Sequence, residues 1–163
     1  MPQQVLTVVG DLAQRQAAGG VRSWGSVFDR FTYRRLEVNY RTPGEIMAVA
    51  TPVLKLVDPD ASAPVSVRTA GTRPWARHVT DLSAAVRDEL DAHANAHDDR
   101  TIAVIGEGWM PPRASKGLEF DVVLVVEPQR MSPSELYVAL TRATQRLGVL
   151  HTEPLPRHLR GLL

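Results

Sequence analysis

Apolar residues in this chain fall into short runs separated by polar and turn-forming clusters, and the runs alternate between a strand-like and a helix-like period. Leu6 to Val9 is an apolar run closed by Gly10-Asp11, which reads as a buried strand delivering polar groups at its C-terminal end. A loop with Gly19, Gly20 and Gly25 follows, then a second strand over Leu36 to Val38. Thr42-Pro43-Gly44-Glu45 has the form of a capping box with proline at the first helical position. Behind it Ile46, Val49, Ala50, Val53 and Leu54 recur at helical spacing, so a helix is expected to run to about Asp58-Pro59, with Pro52 as a point of kinking.

Pro59 to Pro64 is a Pro/Ala/Ser loop, and Val65 to Val67 with Trp75 to Val79 suggest a short extended pair. Leu82, Val86 and Leu90 sit four apart behind Thr80 and Asp81, which predicts a capped helix reaching Ala96. Thr101 to Ile105 is the next buried strand. Val122 to Val126 is an unbroken apolar and β-branched run, the pattern of a parallel strand covered on both faces. Ser132-Pro133-Ser134-Glu135 repeats the capping-box form, Leu136, Leu140, Ala143 and Leu147 make the buried stripe of the following helix, and Leu147 to Leu150 turns into a last strand. Strands alternating with helices over this length imply an α/β fold: an open, mostly parallel sheet with helices on both faces.

Composition narrows this picture. At 163 residues, 44% apolar, the chain has material for one α/β domain and a little more. A net charge of +1 provides no long-range field for nucleic acid, so any such contact must be local. The only lysines are Lys55 and Lys116; the rest of the basic side chains are arginine, which suits forked phosphate contacts and equally fits codon bias. Absence of cysteine excludes disulfides and thiolate metal sites and fits a reducing cytoplasm. No segment approaches the ~20 apolar residues that span a bilayer, so no membrane association is expected and the localisation inferred is cytoplasmic.

In open α/β sheets, ligands collect beyond the carboxyl ends of the strands. The residues that follow or precede the apolar runs are unusually polar: Gly10 to Gln14, Asn39-Tyr40-Arg41, Ala114 to Phe120, and Tyr137 to Ala143. These blocks, VVGDLAQ, NYRTPGEI, ASKGLEFD and YVALTRA, resemble helicase motifs III, IV, V and VI of the superfamily 1 UvrD/Rep group, in that order. The resemblance is nearest to HelD-like, helicase IV relatives, because the interval between the second and third blocks is too short for the large domain that UvrD and Rep insert there. It implies a RecA-like fold of the P-loop NTPase type without the P-loop itself. Residues 1–35 would be the end of a first RecA-like motor domain, and residues 36–163 the second, C-terminal one.

By the same resemblance, Arg41 and Arg142 correspond to arginines on the γ-phosphate of ATP, and Gln14 to the glutamine facing that phosphate and its attacking water. Tyr40 corresponds to the aromatic stacked on adenine, Glu119 to the carboxylate on the ribose hydroxyls, and Gly117 to a point of close backbone approach. Arg113, Ser115, Lys116 and Thr141 are the candidates for coupling to a nucleic-acid strand, with Arg113 standing where UvrD and Rep have a histidine. Read without the resemblance, Arg41 suits a surface ion pair, Gln14 a loop amide and Tyr40 the core. Helical spacing from Leu136 and Leu140 places Arg142 on the exposed face.

Neither lysine follows a glycine, so no phosphate-cradling loop is present. The expected cofactor, ATP with Mg²⁺, would therefore be completed by an N-terminal RecA-like motor domain as partner, with single-stranded or duplex DNA as substrate. The alternative is a HelD-type interaction module acting on RNA polymerase without catalysis. His93 and His97 stand four apart but lack a third ligand, and a solvated helix end is the expectation. Glu127 ends an apolar run as a Walker B carboxylate does, yet Pro128 follows it, and a structural role is expected.

Overall fold

The computed structural model describes residues 6–14, 23–24, 29–34, 36–96 and 99–163. Gly19, Gly20 and Gly25 of the glycine loop and His97 lie outside them. Among the described residues, six strands and three helices follow in the order β1 (Val38–Asn39), α1 (Gly44–Val57), β2 (Val65–Ser66), β3 (Trp75–His78), α2 (Leu82–Asn95), β4 (Ile102–Ile105), β5 (Phe120–Val126), α3 (Pro133–Leu140) and β6 (Ala143–His151). β3, β6, β5 and β4 form one sheet in that order, parallel throughout, and β1 pairs with β2 in a separate parallel ribbon. β5 is central and buried from Val122 onward, as its uninterrupted apolar run requires.

Two apolar clusters flank the sheet. α1 and α3 pack on one face through Ile46, Val49, Val53, Leu136 and Leu140, against Val123, Val125 and Val149. α2 covers the other through Ala85 and Val86, against Val104, Leu124 and Leu150. This is the expected α/β arrangement with helices on both faces. Among the described residues no helix is long and apolar enough to cross a membrane.

Several local expectations hold. Asp81 caps α2 by accepting from the Ala84 N–H at 2.9 Å, and Ser132 and Glu135 form a complete capping box at α3. α1 ends at Val57, and Pro52 lies within it without ending it. Others are corrected. Leu6 to Val9 is no strand, and Leu6 and Val9 are 63% and 81% exposed; an apolar run reports that a segment favours burial, not that a ladder is there to receive it. Thr42 does not cap α1: Pro43 takes that position without a side-chain bond, while Asn39 Oδ1 accepts from the Arg41 and Thr42 N–H groups at 2.9 and 3.1 Å. Glu45, the other half of the expected box, reaches instead to the N–H groups of Ala70 and Gly71. β2 and β3 pair with different partners rather than with each other. α3 stops at Leu140, because Ala143 is already laddered opposite Phe120, so Ala143 and Leu147 are buried as strand residues.

Candidate functional site

The register of the central ladder builds the site. Phe120 pairs with Ala143, and its N–H donates to the Arg142 carbonyl at 3.0 Å. The residues immediately before each strand, Glu119 and Arg142, are thereby brought to the same end of the sheet. That end is the amino end of β5 and β6, not the carboxyl end on which the sequence argument relied. Arg41, just beyond β1, joins them there through an ion pair, Nη1 to Glu119 Oε1 at 3.0 Å. Both partners are partly exposed, so the pair contributes little to stability, about 0–1 kcal/mol. The Arg41 Nε is buried with no hydrogen-bond partner among the described residues.

Arg142 is not exposed; it is 1% accessible. The helical face that predicted exposure ends at Leu140, and the side chain instead turns into the junction between α3 and β6. Its Nε donates to the Val138 carbonyl at 3.1 Å, Nη1 to the Leu118 carbonyl at 3.1 Å, and Nη2 to Thr141 Oγ1 at 3.3 Å. Burial depresses its pKa, Arg41 depresses it further, and Glu119, Tyr137 and Asp11 oppose that. Tyr137, also buried, has its phenol pushed up to about 12, chiefly by burial and then by Asp11, against the pull of Arg41 and Arg142. Asp11, Arg41, Glu119, Tyr137 and Arg142 thus form one electrostatic cluster.

Tyr40 projects from the ribbon and is 73% exposed, so it is not a core tyrosine. Gly117 has φ +82, which disfavours any residue with a Cβ, and a Cβ built there would meet nothing within 4 Å. Gln14 ends a short 3-10 turn, Leu12–Gln14, and donates through Nε2 to Asp11 Oδ2 at 2.9 Å. Lys116 Nζ donates to the Gln14 carbonyl at 3.3 Å.

The remaining candidates divide. Ser115 is buried, its hydroxyl donating to the Pro112 carbonyl at 2.7 Å, and Thr141 is buried with its hydroxyl donated to Tyr137 and Val138 carbonyls. Both hydroxyls are thus buried and donate to backbone carbonyls. Arg113 is exposed but stands elsewhere, lining a cavity of about 360 Å³ with Gly106, Glu107, Glu127 and Arg130 at the carboxyl ends of β4 and β5. Glu127 is structural: buried and left-handed at φ 51, it accepts from the Thr152 N–H and hydroxyl at 3.0 and 2.6 Å and from Gln129. His93 approaches the Arg100 carbonyl through Nε2 at 2.7 Å, and no group of potential metal ligands occurs among the described residues. Asp11 and Tyr137 had no role in the sequence argument, although each lies inside a quoted block; their packing, not their type, identifies them.

A parallel sheet between helices, with two arginines and a carboxylate gathered on one rim, is a RecA-like domain of the nucleotide-dependent, helicase type of motor. More narrowly, residues 3–151 match the viral superfamily 1 RNA helicase core domain, and the chain belongs to that family. Among solved structures it is similar to the C-terminal domain of a possible DNA helicase from Lactobacillus plantarum WCFS1, at 20% identity over 77% of this chain and 94% of that one, with a TM-score of 0.50. It is similar to the PRRSV helicase at 19% identity, 88% and 29% coverage and TM-score 0.55. Arterivirus nonstructural protein 10, also a helicase, gives 22% identity, 94% and 34% coverage and TM-score 0.55. At these identities the likeness establishes the fold. The chain spans about a third of the length of these last two helicases. No curated protein matches it in sequence. The superfamily 1 assignment agrees with the order of the four blocks; the narrower UvrD/Rep and HelD likeness has no counterpart among these matches.

Proposed function

We propose that this chain is the second motor domain of an ATP-dependent DNA helicase or translocase of UvrD/Rep or HelD-like kinship, closing on ATP held by a first RecA-like domain. The observation that carries the reading is the Arg41–Glu119–Arg142 constellation on one rim. Its arginines suit a polyphosphate, since among the described residues the Arg41 Nε is buried without a partner and its Nη1 meets a half-exposed carboxylate. ATP with Mg²⁺, when bound, supplies the phosphoryl transfer that drives the domains together and apart. Residues of this chain would do the holding: Arg41 turns its fork from Glu119 to the γ-phosphate, and the freed Glu119 accepts from ribose hydroxyls. Tyr40 offers a flat, exposed ring to adenine, and Gln14 orients water at the phosphate. Arg142, fixed from below by three acceptors, contributes a rigid positive charge. Magnesium ligands and the phosphate cradle fall to the other motor half. Nucleic acid would meet the opposite end of the sheet, with Arg113 as the contacting side chain and Ser115 as a buried support, while Thr141, held against Arg142 at the nucleotide rim, would couple the two.

The second reading, a HelD-type module on RNA polymerase, is favoured by one observation: the interval from Ile46 to Ala114 is filled by α1, β2, β3, α2 and β4, with no room for an inserted domain. Turnover by the full polypeptide separates the two. Its ATP hydrolysis should rise with single-stranded DNA, and Arg41→Ala should lower kcat by about 10³-fold. The isolated 163-residue chain should hydrolyse ATP negligibly. Turnover that survives Arg41→Ala removes the motor reading, and stimulation by RNA polymerase or RNA rather than DNA replaces the substrate.

A further inference from the structure

The turn at Leu12–Gln14 is attached to this domain at three points. The Ala13 methyl group is buried in the same core as α1 and α3. The Ala13 carbonyl accepts from the Ser134 hydroxyl at 2.7 Å, and the Gln14 carbonyl accepts from Lys116 Nζ at 3.3 Å. Ser134 belongs to α3 and Lys116 to the loop before β5, so two elements of the arginine-bearing domain grip one short turn. Inside the turn, Asp11 Oδ1 accepts from the Ala13 N–H and Oδ2 from Gln14 Nε2, both at 2.9 Å. That commits an N–H of the Gln14 amide, and among the described residues Oε1 is the acceptor it can offer a ligand.

We propose that Ser134 and Lys116 are positioning residues: they clasp the Leu12–Gln14 turn onto the second motor domain and thereby hold Gln14 on the rim that carries Arg41 and Arg142. The inference rests on the nucleotide-site reading above and adds to it the residues that set one member in place. Lys116, which holds the Gln14 carbonyl, stands three residues before Glu119, the ion-pair partner of Arg41, so the clasped turn is tied to the loop that carries the rim carboxylate; the Asp11 charge acting on Tyr137 and Arg142 agrees with this. A glutamine on an untethered loop would sample many positions, and tethering it removes that entropy before the nucleotide arrives. Lys116, expected from sequence to touch nucleic acid, is used here on a protein carbonyl.

The test uses two readouts. In the 163-residue chain, Ser134→Ala with Lys116→Met should accelerate hydrogen exchange at the Ala13 and Gln14 amides about ten-fold, with unchanged circular dichroism. Ser134 is not the α3 cap and alanine is a good helix former, so α3 should persist; Ser134→Ala alone serves if the pair misfolds. In the full polypeptide the same variant should lower kcat roughly 10- to 100-fold with KM for ATP little changed, and restoring charge with Lys116→Arg should recover most of it. Unchanged exchange overturns the clasp. So does unchanged kcat in a protein whose Arg41→Ala control is dead. If that control remains active, the motor reading fails instead, and the exchange result alone decides whether the clasp exists.

Discussion

Arg142 shows how burial changes the meaning of a mutation. Replacing it by alanine removes a charge proposed for the nucleotide site, leaves the Leu118 carbonyl without its donor in a vacated space, and takes one of two donors from the Val138 carbonyl. Arg142→Ala should therefore destabilise the chain by roughly 2–4 kcal/mol, read by urea unfolding. Arg41→Ala, which breaks only a half-exposed ion pair, should cost about 1 kcal/mol or less. Loss of activity in the first variant is thus ambiguous, whereas in the second it reports on the site. Tyr137 gives an optical check on the same cluster. Because its folded pKa is raised to about 12 from an ordinary value of 10.0, the folded state retains a proton that the unfolded state loses. The associated stability is fully present below pH 10.0 and disappears as pH climbs toward about 12. Phenolate absorbance should show one tyrosine titrating late, and a normal titration of all three would remove Tyr137 from the buried cluster.

At the scale of elements, caps and ladders determine where the functional side chains stand. The complete capping box makes Ser132→Ala cost about 1 kcal/mol, and the loss should appear in thermal melts as a lower Tm. Gly148 of β6 lies under Trp75 of β3: a Cβ there would stand 2.4 Å from the indole and 2.9 Å from Leu124. Gly148→Ala should destabilise by about 1–3 kcal/mol, since the indole and the Leu124 methyl must both shift to admit the new Cβ. Two carboxylates tie loops to elements. The Ala70 N–H holds Glu45 below the ordinary carboxylate range, and the Thr101 N–H does the same for Asp121. Both shifts are downward, so both contributions are present above the ordinary carboxylate values and fade as pH falls through the folded ones. Glu45→Gln and Asp121→Asn should each flatten the acid limb of a stability-versus-pH curve; an unaltered limb would deny them that role.

For the whole molecule, local chemistry and long-range pairing contributed different things. Helix starts at Asp81 and Ser132, the apolar face of α1 and the central run of β5 were legible in the sequence, because each depends on residues within one or two turns of one another. The residue types of the rim were legible as well, since four blocks in order carried them. The sequence did not contain the partner of any strand. Leu6 to Val9 has strand character and no ladder, and β2 and β3 join different sheets. Pairing of Phe120 with Ala143 ended α3 early, buried Arg142 and moved the site to the amino end of the strands. Such contacts join residues more than twenty positions apart, and their free energy depends on what else packs there, so no local period encodes them. Local sequence was not enough for Leu6 to Val9 or the end of α3, but it was enough for the helices α1 and α2, the start of α3, the central strand β5 and the polar residues available for chemistry. Tertiary structure alone decided which of those residues meet, because proximity across a sheet is set by register.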